Sequence, residues 1–235
     1  MIPKHIILTW KDHQIPPVIL DAWKRLNPGY TILFFTDKDI LQFLQTHYGE
    51  EYCTFFSKIP FGRYKSDFFR YCYLYKCGGF YVDIDIEPLL SIEEVLPSPL
   101  SFLSIVSTYF PEQIFQAVLW SEANHPILAR CICSMLYYGS NIGIDPPDVY
   151  PFRGHPTVCM YTNMCKLLQC STIQEGVNGD SSQQIVMGIE RRVGNRQGIF
   201  IQGKLFGYDK YLHYDRDHGF KIQPLYVVRT SPVER

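Results

Sequence analysis

At 235 residues, 46% hydrophobic and 19% charged, the chain is long enough to bury one sizeable core and too apolar to be disordered. A formal net charge of −1 with no run of Lys or Arg excludes the basic stripe that a phosphate backbone demands, so no nucleic-acid partner is expected. No apolar run reaches the roughly 20 residues that span a bilayer, so no transmembrane segment is expected.

The opening MIPKHIILTW lacks a charged leader and a small-residue cleavage site, which argues for an immediate first strand rather than a signal peptide. HIILTW (5–10) reads as that strand. PPVILDAWKRLNPG (16–29) has helical spacing, YTILFFTD (30–37) reads as a buried strand, and DKDILQFLQTHYGEEY as one amphipathic helix. Beyond Pro60-Phe61-Gly62, RYKSDFFRYCYLYKCGG (63–79) is a helix ending at a Gly pair and feeding the strand FYVDIDI. This alternation predicts an α/β fold with a mainly parallel central sheet, Rossmann-like and flanked by helices.

After residue 90 the pattern loosens. SFLSIVS and FQAVLW read as strands, and HPILARCICSMLYYG (125–139) and the stretch from Thr157 to Leu168 as helices. IGIDPPDVYPFRGHP and EGVNGDSSQQ read as loops, and GIFIQ and LYVVRT as late strands. With no convincing linker, residues 1–235 are expected to form a single domain. Its 8 cysteines are scattered without paired CxxC spacing, which predicts reduced structural thiols and a cytoplasmic setting.

GGFYVDIDIEPL (78–89) places Asp83, Asp85 and Glu87 at every second position of an apolar stretch. Buried charge is costly unless paired or coordinated, so the strand must end at water or hold a cation. Ligands of open α/β sheets sit at the carboxyl ends of strands, and alternation puts both aspartates on one face. Hard oxygens suit Mn2+ or Mg2+, with remaining positions left to a substrate diphosphate. Asp67 and Arg70, three apart on the preceding helix, share a face and come near Asp83; a surface ion pair is the competing reading.

IPKHIILTWK followed by KSDFFRYCYLYKCGGFYVDIDIEPL resembles the DXD-containing sugar-transfer region of the glycosyltransferases related to yeast initiating α-1,6-mannosyltransferase. More distantly, it resembles the glucosylating domain of large clostridial toxins. The opening IPK-x-I-x-x-x-W, the S-D-x-x-R helix, GG-x-Y and D-x-D occur in that order. Weaker echoes follow in SEANHPIL (121–128) and RGHPTV (153–158).

The resemblance implies a GT-A fold and a metal-dependent hexosyltransferase. Such an enzyme moves sugar from a UDP- or GDP-sugar to a glycan or glycoconjugate acceptor, usually with retention. Residues 1–90 would then hold the nucleotide sugar and 91–235 face the acceptor. By motif position, Asp85 and Asp83 would ligate the metal, with Asp83 also touching the donor. Asp67 and Arg70 would hold the donor sugar. Thr9 and Trp10 would contact the donor, Trp10 by stacking on the base; core packing is the alternative reading of Trp10. Tyr81 would pack under the donor, and Lys65 would approach a phosphate or serve as a solvated helix start. For the late metal or phosphate contact, the family's His with Ser-Trp is matched by His213 in YLHYDRDHGF, without Ser-Trp, and His213 is preferred to His218.

Two other readings compete. One is a haloacid-dehalogenase-type phosphotransferase with Asp83 as nucleophile, although its D-x-D normally stands near the domain start. The other is a nucleotide-sugar-binding module without turnover.

Overall fold

The computed structural model describes residues 3–15, 17–96, 100–139, 155–178 and 184–209, with the backbone of 212–215 and 219–222. The amino-terminal part runs β1 (His5–Thr9), α1 (Pro17–Leu26), β2 (Thr31–Phe35), α2 (Asp37–His47), α3 (Glu50–Lys58), α4 (Gly62–Cys77) and β3 (Gly79–Val82). Then follow β4 (Glu87–Pro88), α5 (Ile92–Val95), β5 (Phe102–Val106), β6 (Ile114–Ser121), α6 (Pro126–Tyr138) and α7 (Pro156–Leu168). The last elements are β7 (Gly176–Asn178), β8 (Ile185–Val193), β9 (Arg196–Ile201), β10 (Lys204–Tyr208) and the hairpin β11 (Leu212–Asp215) and β12 (Gly219–Ile222).

The expected helices and early strands form, with one division, although β2, read as buried, is an edge strand with no fully buried residue. The predicted helix from Asp37 to Tyr52 breaks at Gly49, whose φ of 89° no helix accommodates, giving α2 and α3. Thr36 starts α2 through a capping box with Asp39. The loop over 142–156 lies outside the described residues except for His155 and Pro156, and LYVVRT lies outside them entirely. EGVNGDSSQQ contains β7 rather than loop alone.

The sheet corrects the mainly parallel expectation: it is mixed. Its order is β2-β1-β3-β6-β5-β8-β9-β10-β4, with β7 beside β8. Parallel pairing joins β1 to β2, β1 to β3 and β5 to β8. Pairing is antiparallel between β3 and β6, β5 and β6, and along β8, β9 and β10. Connection length explains the reversal, because residues 107–113 between β5 and β6 are too few for a parallel crossover. Gln202 and Gly203 both have positive φ, 51° and 73°, the signature of a tight type I′ hairpin between β9 and β10.

Alternation along the strands splits the core in two. Ile7, Tyr81 and Leu119 pack on one sheet face with residues of α2, α3, α4, α6 and α7. Ile6, Leu8, Phe80 and Val82 pack on the other with Ile19 and Trp23 of α1 and with Ile92 and Val95 of α5. The cysteines are free thiols, Cys72 and Cys131 fully buried among the first set.

Candidate active site

The neighbouring parallel strands β1 and β3 end at Thr9 and Val82, so Trp10 and Asp83 leave the sheet at the same edge. Helix α4 runs back along this layer and turns into β3 at Gly78, where φ is 69° and a side chain would meet the Ala123 and Ser121 backbone at 3.0 Å. Its amino-terminal half therefore lies level with the end of β3. Arg63, Ser66, Asp67 and Arg70, spaced as one helical face, line a cleft of about 1090 Å3 with Thr9, Trp10, Lys65, Asp83 and Asp85.

The D-x-D carboxylates reach the cleft differently from the strand expectation. β3 stops at Val82, and Asp83 opens a turn closed by Ile86 N–H donating to the Asp83 carbonyl at 3.2 Å. Buried Ile84 and Ile86 anchor this turn to the core while both aspartates line the cleft. Glu87 takes no part: it forms an ion pair with Arg196 at 2.7 Å beside β10.

Arg70 is the hub. Only 3% exposed, its Nη2 lies 3.0 Å from Asp83 Oδ1 and 3.3 Å from Asp67 Oδ1. Nε donates to the Ser66 carbonyl at 3.2 Å, Nη1 donates to the Gln116 carbonyl, and the guanidinium stacks 4.3 Å over the Tyr81 ring. The surface-ion-pair reading of Asp67 and Arg70 is thus corrected: the pair is buried, and in low dielectric its charges act strongly. Tyr81 lies beneath the cleft, donating to Asp83 Oδ1 at 2.9 Å and lying 3.0 Å from the Thr9 hydroxyl, which reaches Ser66. Burial holds its phenol well above the ordinary range.

Burial also pushes the Asp67 carboxyl up to about 6; Arg70 opposes this and the Asp83 charge adds to it. Desolvation therefore outweighs the ion pair at Asp67. Arg70 stays charged: Asp83, Tyr81 and Asp67 raise its pKa against the opposing effect of burial. Lys65 lines the cleft, but Asp37 holds its ammonium at 2.9 Å, with the Phe56 ring 4.8 Å away.

The donor set fits a hard divalent cation completed by substrate. Asp83 receives Arg70 and Tyr81 on Oδ1, which leaves Oδ2 as its oxygen for a ligand, and Asp85 contributes a second carboxylate. Among the described residues no cluster of three or more His, Cys, Asp or Glu side chains could hold a metal by itself. The side chain of His213 and all of His218 lie outside the described residues.

The opposite wall was not anticipated. Glu190, 1% exposed, accepts from the Ser107 hydroxyl at 2.5 Å, from Thr108 N–H at 3.3 Å and from the Gln197 amide. Burial raises its pKa, with nearby Asp209 contributing. Tyr109 and Phe110 follow at the rim, 47% and 48% exposed. From α7, Thr157 donates to Gln113 Oε1 at 2.8 Å and lies 2.7 Å from His155 Nδ1. His125 instead caps α6, and burial lowers its pKa to about 4. Arg191 and Arg192 are tied outside the cleft, to Glu175 and to the Gly194 carbonyl.

Residues 18–102 match the family described as glycosyltransferase sugar-binding region containing DXD motif. Inositol phosphoceramide mannosyltransferase 1 of Schizosaccharomyces pombe is 34% identical over 182 residues, 71% of this chain and 52% of its own length. Inositol phosphoceramide mannosyltransferase 3 of the same organism is 29% identical over 143 residues, 60% of this chain and 39% of its own. The initiation-specific alpha-1,6-mannosyltransferase of Candida albicans is 31% identical over 101 residues, 39% of this chain and 26% of its own. The chain thus spans about half or less of the length of these curated relatives. The solved PaToxG Glycosyltransferase superposes with a TM-score of 0.53 and 14% identity, over 72% of this chain and 70% of that one, a likeness of fold. The resemblance carried by the motif string is borne out over the matched residues.

Proposed function

We propose that this chain transfers a hexose, mannose foremost, from a nucleoside-diphosphate sugar to a hydroxyl of a glycan or glycolipid acceptor, with Mn2+ or Mg2+ held by Asp85 and Asp83. The observation that carries this reading is the convergence of Asp67, Arg70, Asp83, Asp85 and Trp10 on one large cleft at the carboxyl ends of β1 and β3. The names of the mannosyltransferase relatives and the DXD family match support the class of reaction and the choice of sugar.

The electrostatics follow from the charges the leaving group develops. When bound, the metal supplies a Lewis acid for the departing diphosphate. Trp10 offers a ring face to the base. Arg70 keeps a fixed positive charge next to the carboxylates, preorganised by two backbone carbonyls and the Tyr81 ring, so no reorientation is required during reaction. Asp67 binds sugar hydroxyls as an acceptor above about pH 6 and also as a donor below it. Exposed Tyr109 and Phe110 form an apolar rim suited to an acceptor's sugar face. Retention requires the acceptor to enter on the departing face or a carboxylate to attack first.

The dehalogenase-type reading fares poorly on position, since its D-x-D normally stands near the domain start, whereas β1, β2 and α1 to α4 precede Asp83 here. A thermal-shift panel of UDP- and GDP-sugars, with and without Mn2+, followed by product detection on glycan and glycolipid acceptors, tests the proposal. A metal-dependent shift with GDP-mannose and product formation are expected. A shift without hydrolysis or transfer to any acceptor would favour the binding module, and no shift would reject both.

A further inference from the structure

Gln116 belongs to this network with its side chain only half-used. It lies within β6 where the pairing with β5 slips: Leu103 faces Trp120, yet Ile105 faces Phe115, so β6 carries extra residues in between. Such a bulge re-aims side chains, and Gln116 lines the cleft while only 4% exposed. Its carbonyl accepts from Arg70 Nη1, whose sister nitrogen Nη2 holds Asp67 and Asp83. Its side-chain Oε1 accepts from the Tyr71 hydroxyl. Its Nε2 is buried without a hydrogen-bond partner.

An unpaired buried amide donor costs about 1–3 kcal/mol, and at the wall of a cleft a ligand's acceptor is one partner that would remove that cost. Resting on the sugar-transfer reading, we propose that Gln116 is a specificity-determining residue. Its Nε2 donates to a hydroxyl of the transferred sugar, completing a ring of ligands with Asp67 and Arg70. This amide is assigned to the sugar and not to the base or the diphosphate. Its removal should therefore weaken sugar recognition and leave nucleotide recognition intact.

The test is calorimetric titration, with Mn2+ present, of GDP-mannose against GDP and of UDP-glucose against UDP. The proteins are the wild type, Gln116→Met, which preserves volume without a donor, and Gln116→Asn, whose shorter amide falls back from the cleft. Affinity for the preferred sugar nucleotide should fall about tenfold in both variants, the worth of one good hydrogen bond, while affinity for its bare diphosphate holds. A series of monodeoxy sugar nucleotides should contain one member that binds wild type and variant alike, identifying the hydroxyl. Equal losses for sugar nucleotide and diphosphate, or no loss, would overturn the assignment and leave a structural or water-binding role. A wild-type chain that binds none of the four ligands would instead refute the sugar-transfer reading itself.

Discussion

Replacing Asp67 by Asn separates the stability of this site from its purpose. The Asp67 carboxyl rises from an ordinary 3.8 to about 6 because burial outweighs its pairing with Arg70. At roughly 1.4 kcal/mol per pH unit, that rise means the charged form costs the fold about 3 kcal/mol. The sign follows from proton counting. Between 3.8 and about 6 the folded state holds a proton that the unfolded state has lost, so this group's contribution falls as pH rises through that window. Above it the whole cost is present, and below it none is. Asn keeps the shape, still accepts from Arg70 and has no charge to desolvate, while Arg70 retains Asp83 as partner. Urea unfolding of both proteins at pH 4 and pH 8 should show the stability of Asp67→Asn relative to wild type growing by about 2–3 kcal/mol across the range. The variant should also lose donor-sugar affinity. A difference that stays flat or shrinks as pH rises would refute the claim that desolvation dominates at Asp67.

Other perturbations test the scaffold beneath the site. Tyr81→Phe removes the hydroxyl that donates to Asp83 at 2.9 Å. It should cost about 1.5–3 kcal/mol in denaturant unfolding, with weaker Mn2+-dependent nucleotide binding. Gly78→Ala forces a side chain onto a φ of 69° and against backbone at 3.0 Å. A loss of about 1–3 kcal/mol, read as a fall of about 2–4 °C in Tm per kcal/mol, is expected. Asp85→Ala should leave the unfolding curve close to wild type, because the turn is anchored by Ile84 and Ile86, and abolish metal-dependent donor binding in calorimetry.

The amino-terminal part of this architecture is legible in the sequence because its signals are local. Apolar runs at 5–10 and 30–37 and the Gly pair after α4 are read from neighbouring residues alone, whereas Thr36, read as part of the second strand, caps α2 instead. The carboxylate positions are legible from Asp83 and Asp85, although the turn that presents them is not, since FYVDIDI reads equally as continuous strand. Strand direction after residue 90 depends on what pairs with what, which periodicity does not encode; a parallel sheet was expected and a mixed one formed. Gln116 and Glu190 escape for related reasons. Gln116 sits in an apolar stretch and reaches the cleft through a bulge set by pairing with β5. Glu190 precedes two arginines that suggest a solvated turn, yet it is buried by Ser107, Thr108 and Gln197 from distant segments.

A crystal grown with manganese and a nucleoside diphosphate tests the central claim most directly. The account predicts an anomalous metal peak bridging Asp85, Asp83 and the diphosphate oxygens, with the base against Trp10. A well-ordered nucleotide bound elsewhere, with no metal at either aspartate, would contradict it.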